Sequence, residues 1–343
     1  MNNGKAGLLP MIGIRVDVNQ TVATGHIMRD IAVAIKLKDM GADFVFISAD
    51  DNCKKYLDKY GFEAVILDSK WNDLDSEADK LIDIIRHNNI TSLLVDSYYV
   101  TENYMRKLSE VTKVTYFDEM FLLGYGCSQM INGVLEPPDY SMAKGKAFLG
   151  PEYVSLRDEF SKLPPKHIRE SVEKILITSG GTDNYHFCKL FLEHFLSLEE
   201  WDNVKVIVVV GGLCVDAEWL KENYADNERV ELYINTNRMA ELFSDADYAV
   251  TAGGTTLYEV CAVGVAASCF ALADNQLDIV ESFDRNGLIS YAGDLRVDFN
   301  SVINNIVKHI SKASSPEYRR MQAEKLQSIV DGRGAQRIAE ILM

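Results

Sequence analysis

Apolar and polar positions change period at Gly25. Upstream, Ile12, Ile14 and Val16 alternate with glycine and charge. From Gly25 on, Ile27, Met28, Ile31, Ala32, Ile35 and Leu37 recur at helical spacing. A period of two followed by one near 3.6 predicts a strand over 12–16, a polar turn over Asp17–Thr24 and a helix opening at Gly25. The alternation continues. Phe44–Ile47, Val65–Leu67, Ser92–Val95 and Val114–Phe117 read as strands, and Ser76–His87 reads as an amphipathic helix carrying Leu81, Ile82, Ile84 and Ile85. Polar groups follow two of these strands, as Asp96-Ser97-Tyr98-Tyr99 and Asp118-Glu119. Strands alternating with helices predict an α/β fold with a parallel sheet covered on both faces, whose ligand rim lies beyond the carboxyl ends of the strands.

The stretch 132–169 breaks this rhythm. It holds five of the seven prolines and reads as a connection, interrupted by a strand–turn–helix pattern over Phe148–Phe160. A second alternation starts at Lys174. Strands are expected at Ile175–Thr178, Val204–Val210, Val230–Ile234, Tyr248–Thr251 and Ala266–Phe270, with helices from about Tyr185 and over Leu257–Val263. The tail from Pro316 is helical with a break at Gly332 and Gly334. At 343 residues the chain has room for two domains on one plan, expected at 1–168 and 169–343 with the last helix packing back on the first.

The chain is 47% hydrophobic and 25% charged, as soluble globular proteins are. Its net charge of −16 argues against nonspecific binding of nucleic acid or of an anionic membrane. It leaves room for a small anion held by helix ends and backbone amides. No run of 18 apolar residues is present and the N-terminus makes a poor signal peptide, so no membrane insertion is expected. The six scattered cysteines read as reduced thiols of a cytoplasmic protein. No spacing of Asp17, Asp96 and Asp118 supports a metal. Positions 23–28 carry neither a dinucleotide fingerprint nor a Walker lysine, so no cofactor is expected.

The candidate chemistry sits in the loops. His26 stands where a strand, a loop and a helix start meet, and imidazole exchanges protons near neutral pH. A histidine at a helix start is also commonly a surface or capping residue. Gly180-Gly181-Thr182 and Gly253-Gly254-Thr255-Thr256 each follow a strand and open a helix, an arrangement that suits phosphate oxygens. Either loop alone is a weak signal. Glu259, one turn into the second helix, suits a ribose diol or serves as an ordinary helix acid, and Asn275 and Gln276 suit a ligand or a helix cap. Arg29 and Arg157 are the cations nearest these rims, free for a ligand or paired with an acid.

Taken in order, Gly25-His26-Ile27-Met28-Arg29-Asp30, Val95-Asp96-Ser97-Tyr98, Phe117-Asp118-Glu119, Leu156–Phe160, Gly180-Gly181-Thr182-Asp183, Gly253–Thr256 with Glu259, Asn275-Gln276 and Val330–Ala335 resemble the nucleotide-sugar hydrolases of the pseudaminic-acid pathway. The resemblance covers nearly the whole chain. It implies a GT-B fold, two Rossmann-like domains facing across a cleft, and hydrolysis of UDP-2,4-diacetamido-2,4,6-trideoxy-β-L-altropyranose at C1 with inversion. It implies His26 as the base that activates water. Asp17, Gly25, Arg29, Tyr98, Asn275 and Gln276 would meet the substrate, and Gly180, Gly181, Thr182, Gly253, Gly254, Thr255, Thr256 and Glu259 the UDP, in a monomer that needs no metal. Two departures from the family pattern stand out, Ala23 where a glycine is common and Ser97 where some members carry histidine. A GT-B glycosyltransferase and a non-catalytic nucleotide-sugar binder are the alternatives.

Overall fold

The structure is a computed structural model that describes residues 11–343 except Gln20 and Ala23, so the stretch read for a leader and the departure at position 23 lie outside the described residues. The chain forms two compact units. The first runs to Asp158 and takes in Arg333–Met343; the second is Glu159–Gly332. The sequence placed the division at 168.

In the first unit β1 (Met11–Val16), β2 (Phe44–Ser48), β3 (Ala64–Ile66), β4 (Ile90–Asp96), β5 (Lys113–Phe117), β6 (Gln129–Asn132) and β7 (Lys146–Leu149) make a seven-stranded sheet in the order β3-β2-β1-β4-β5-β6-β7. Every pairing is parallel. The helices are α1 (Gly25–Asp39), α2 (Lys54–Leu57), α3 (Ala78–His87) and α4 (Glu102–Ser109). Alternation along β1 sorts its side chains to two faces. Ile12, Ile14 and Val16 pack with Ile27, Ile31 and Ala34 of α1. On the other face Leu93 and Val95 of β4 pack with Leu81, Ile85, Tyr104 and Leu108 of α3 and α4.

Arg15, between two apolar residues of β1, is fully buried. Its Nε donates to Glu77 Oε1 at 2.6 Å, its Nη2 to Glu77 Oε2 at 3.0 Å and its Nη1 to Asp17 Oδ2 at 2.7 Å. A buried guanidinium is tolerable only when it is paired in this way.

The second unit contains β8 (Lys174–Thr178), α5 (Phe187–Leu196), β9 (Lys205–Val210), α6 (Ala217–Tyr224), β10 (Val230–Ile234), α7 (Met239–Asp245), β11 (Tyr248–Ala252), α8 (Thr255–Val263), β12 (Ala267–Ala271), α9 (Asp274–Arg285), β13 (Ser290–Asp294), α10 (Phe299–Lys312) and α11 (Pro316–Gln327). Its six-stranded sheet has the order β10-β9-β8-β11-β12-β13, again parallel throughout. Phe187, Phe191 and Phe195 stack at every fourth position of α5 and pack with Ile175, Ile177, Val206 and Val208.

Part of the proline-rich stretch is sheet. Beyond β6, β7 supplies the edge strand of the first unit, and its parallel pairing to β6 outweighs the local turn signals. The break in the tail also has a packing reason. A β-carbon on Gly332, whose φ is +69°, would fall 2.0 Å from the Phe160 carbonyl oxygen. One on Gly334 would fall 2.0 Å from the Val154 carbonyl oxygen. The returning chain lies against backbone at both points. Then α12 (Gly334–Leu342) packs on α1, with Ile338 and Leu342 joining the first core.

Candidate active site

Both sheets reverse strand order beside their first strand, between β1 and β4 and between β8 and β11. In open parallel sheets that switch point opens a crevice at the carboxyl ends, where neighbouring connections leave to opposite faces. The candidate residues of each unit fall at its switch point.

In the first unit, α1 begins after the β1 turn, and its N-cap Thr24 makes no side-chain cap bond. His26, in that turn, is 4% exposed. Its Nδ1 lies 2.8 Å from Asp96 Oδ1, at the end of β4, and its Nε2 lies 3.9 Å from Glu119 Oε2, just after β5. Neither ring nitrogen has a well-aligned hydrogen bond among the described residues. The Tyr98 ring meets the imidazole edge-on at 4.5 Å between centroids. Arg29, one turn on from His26, donates Nε to Asp96 Oδ2 at 2.6 Å, Nη2 to Asp96 Oδ1 and Nη1 to Glu119. Its guanidinium also lies 4.3 Å from the centre of the Phe117 ring. Burial raises the pKa of Asp96, but the Arg29 guanidinium and His26 outweigh it and hold the carboxyl far below the ordinary range. Burial and the Glu119 charge push the Tyr98 phenol up. His26, Arg29, Asp96, Tyr98 and Glu119 thus form one cluster: a histidine against an ionised carboxylate, with the Arg29 guanidinium fixing that carboxylate.

The other sequence candidates of this unit are placed as follows. Gly25 is exposed at the α1 start, with open space where a β-carbon would stand. Asp17 has both oxygens engaged, Oδ2 by Arg15 and Oδ1 by the Ala49 N–H at 2.8 Å and the Ser48 hydroxyl at 3.2 Å. The Ser97 hydroxyl accepts from the Tyr99 N–H at 3.1 Å and shapes the turn after β4. Asp118 Oδ1 accepts from the Leu122 N–H at 2.7 Å.

In the second unit the two glycine loops differ. The loop after β8 is tied to the loop after β9: the Gly180 carbonyl accepts from the Gly211 N–H, Gly181 from Leu213 and Thr182 from Val215. Helix α5 starts at Phe187 rather than Tyr185, because His186 sits at φ +57°. Its first N–H groups are already taken: buried Asp183 accepts from Phe187 at 2.9 Å and from Cys188 at 3.0 Å. The loop after β11 leads to a helix without such a cap. Gly254, at φ +130°, is the N-cap of α8, with neither a side-chain cap nor an acid in the first turn. The amides of Thr255 and Thr256 therefore start a helix that has no acid of its own first turn at its positive dipole end. Glu259 is buried one turn further on.

Gly253 is glycine for packing. A β-carbon there would stand 2.7 Å from Val280 Cγ1 and 3.1 Å from Gln276 Cβ, both on α9. Gln276 turns its Oε1 to the Leu272 N–H at 2.8 Å, and Asn275 is exposed beside it. The structure thus brings Gly253 and Gln276 together.

Sequence reasoning placed Asp96 and Glu119 on the polar rim without naming them as site residues. Their signal was position, since each directly follows a strand. Asp30, which the sequence pattern includes without a role, lies four residues after His26 on the same helix. Among the described residues, no group of three or more His, Cys, Asp or Glu side chains is arranged to hold a metal ion, and no helix is long and apolar enough to cross a membrane.

No known family's sequence profile matches the chain. Among solved structures, MurG of Acinetobacter baumannii superposes with a TM-score of 0.72 at 14% identity, covering 97% of this chain and 99% of that one. Spinosyn rhamnosyltransferase SpnG in complex with thymidine diphosphate superposes at 0.61 and 10% identity, covering 97% of this chain and 100% of that one. The fold is GT-B. Among curated relatives, the spore coat polysaccharide biosynthesis protein SpsG of Bacillus subtilis is 22% identical over 96% of this chain and 97% of its own length. An uncharacterized protein of Methanocaldococcus jannaschii is 25% identical over 74% of this chain, a match that spans 54% of the archaeal protein.

Proposed function

We propose that the chain hydrolyses a UDP-linked 2,4-diacetamido-2,4,6-trideoxy sugar at C1, releasing UDP and the free sugar with inversion. The observation that carries this reading is the buried His26 imidazole against Asp96, a carboxylate that Arg29 keeps ionised. His26 takes a proton from water as the water oxygen bonds to C1. The C1–O bond to the diphosphate breaks, and UDP leaves with the bonding electrons. Asp96 stabilises the imidazolium as it forms, as a carboxylate on the far nitrogen of a general base does. Gly25, Arg29 and Tyr98 belong to the sugar side. In the second unit the uncapped start of α8 takes the diphosphate, and its amides oppose the charge that grows on the leaving group. Gly180, Gly181 and Thr182 complete the phosphate loops, Glu259 takes the ribose, and Asn275 and Gln276 approach the substrate from α9. Full-length similarity to a spore coat polysaccharide biosynthesis protein supports a place in surface-glycan synthesis. Six free, buried thiols accord with work in a reducing compartment.

One observation favours transfer to an acceptor instead. Met120 and Phe121, directly after Glu119, are 51% and 48% exposed and offer apolar surface beside the histidine cluster. UDP release from UDP-2,4-diacetamido-2,4,6-trideoxy-β-L-altropyranose, without acceptor and with EDTA, separates the readings. Rapid release that His26→Ala abolishes supports hydrolysis. UDP binding without release overturns it in favour of transfer or simple binding.

A further inference from the structure

The histidine cluster contains a second buried carboxyl that the proposed hydrolysis does not use. Asp30 lies one residue after Arg29 and one helical turn after His26, on the same face of α1. It is 0% exposed, and among the described residues neither of its oxygens has a hydrogen-bond partner. Burying an ionised carboxylate without a partner costs far more than burying the neutral acid, so a carboxyl at such a depth keeps its proton. We propose that Asp30 is an un-ionised carboxylic acid in the working protein and a positioning residue for His26: by staying uncharged it leaves Arg29 to Asp96 and Glu119.

The charges around Asp30 support this. On α1 it has Arg29 beside it and His26 a turn before. Asp96 comes from the end of β4, and Glu119 from just after β5. Further along α1, Lys36 is taken by Asp158, and on α12 Arg337 donates to the Glu152 carbonyl at 3.0 Å. Burial first, then the Asp96 charge, push the Asp30 carboxyl well above its ordinary range. Arg29 opposes the shift and Glu119 adds to it. Asp96, a few side chains away, is pushed the opposite way. Two carboxyls driven apart by their surroundings take different roles, one carrying charge and one carrying a proton. Arg29 has one guanidinium, and it is spent on Asp96 and Glu119. A charge on Asp30 would compete for it and release Asp96 from the geometry that faces His26.

The inference rests on the proposed hydrolysis only for its consequence in turnover, so the test begins without substrate. In the full-length protein labelled with carboxyl-¹³C aspartate, the Asp30 signal is identified by its loss in Asp30→Asn. It is expected to keep the shift of a protonated carboxyl through pH 7. Above that, its titration is expected to appear with the same midpoint at the Arg29 Nε–H resonance and as the alkaline limb of UDP release. Asp30→Asn, a neutral isostere, should lose both transitions. A carboxyl that never ionises while the fold persists also supports the proposal, provided Asp30→Asn leaves the Arg29 resonance as in the wild type. An Asp30 signal titrating in the ordinary carboxylate range overturns it, as does an Arg29 resonance blind to that titration. Absence of UDP release from the wild type would overturn hydrolysis alone, because the resonances decide the state of Asp30 without turnover.

Discussion

Asp96 Oδ1 lies 2.8 Å from His26 Nδ1, while Oδ2 of the same carboxylate takes Arg29 Nε at 2.6 Å. One carboxylate therefore meets an imidazole and a guanidinium of the same helix, and removing it has two separable effects. His26→Ala should lower UDP release by roughly 10²–10⁴-fold, the usual worth of a general base, with folding little changed. Asp96→Asn should reduce release and also destabilise the fold by about 1–3 kcal/mol, because it takes a charged partner from the half-buried Arg29 guanidinium. Rates together with urea unfolding of both variants check the contrast. Equal stabilities would show that Arg29 does not depend on Asp96.

Asp96 and Asp30 also act oppositely on stability as pH changes. The depressed Asp96 contributes stability that is present above the ordinary carboxyl pKa of about 3.9 and is lost as pH falls toward its folded value. The raised Asp30 carboxyl contributes stability that is complete below that ordinary value and declines as pH climbs toward the folded one, because the native state keeps a proton the unfolded chain has released. Asp30→Asn should therefore gain on the wild type by up to about 1.4 kcal/mol per pH unit above pH 4. Urea midpoints at pH 5, 6, 7 and 8 test this, and parallel curves for the two proteins would refute it.

The two glycine loops should respond differently to the same substitution. Gly253→Ala places a methyl group 2.7 Å from Val280 Cγ1, so α9 has to shift. It should cost about 1–3 kcal/mol and weaken UDP binding by tenfold or more. Gly181→Ala meets nothing within 4 Å and should leave stability within about 0.5 kcal/mol. Calorimetric titration with UDP and thermal unfolding read both outcomes. Loss of stability in Gly181→Ala alone would invert the assignment.

Asp17, read from the sequence as a substrate contact, has both oxygens engaged by Arg15, Ser48 and Ala49. Asp17→Ala should cost about 3–5 kcal/mol by leaving Arg15 under-paired in the core. The KM of the folded fraction should change little. A raised KM with unchanged unfolding would restore Asp17 to the substrate.

Much of the fold was legible because its signals are local. The change of period at Gly25, the β-branched run Val206–Val210 and the glycine loops after β8 and β11 each need only neighbouring residues, and each appears in the structure where the pattern put it. In the proline-rich stretch the strand expected from Phe148 is β7, which starts at Lys146 and is held as the edge strand by its register with β6. The start of α5 moved to Phe187 because Asp183 caps it from upstream, a bond invisible to periodicity.

The sequence by itself determined the α/β class, the repeated plan and the positions of His26 and of the glycine loops, since hydrophobic period and turn chemistry are written within a few residues of one another. Only the tertiary structure decided which acids meet which cations. Asp96 reaches His26 and Arg29 because β4 pairs with β1, 80 residues away in the register of Arg15 with Val95. It also decided that Asp183 closes the start of α5 while the N-cap of α8 makes no side-chain bond, and that Asp30 is fully buried with no hydrogen-bond partner among the described residues. Burial and pairing depend on strand order and on which side chains share a face, and those follow from contacts between residues far apart in the chain.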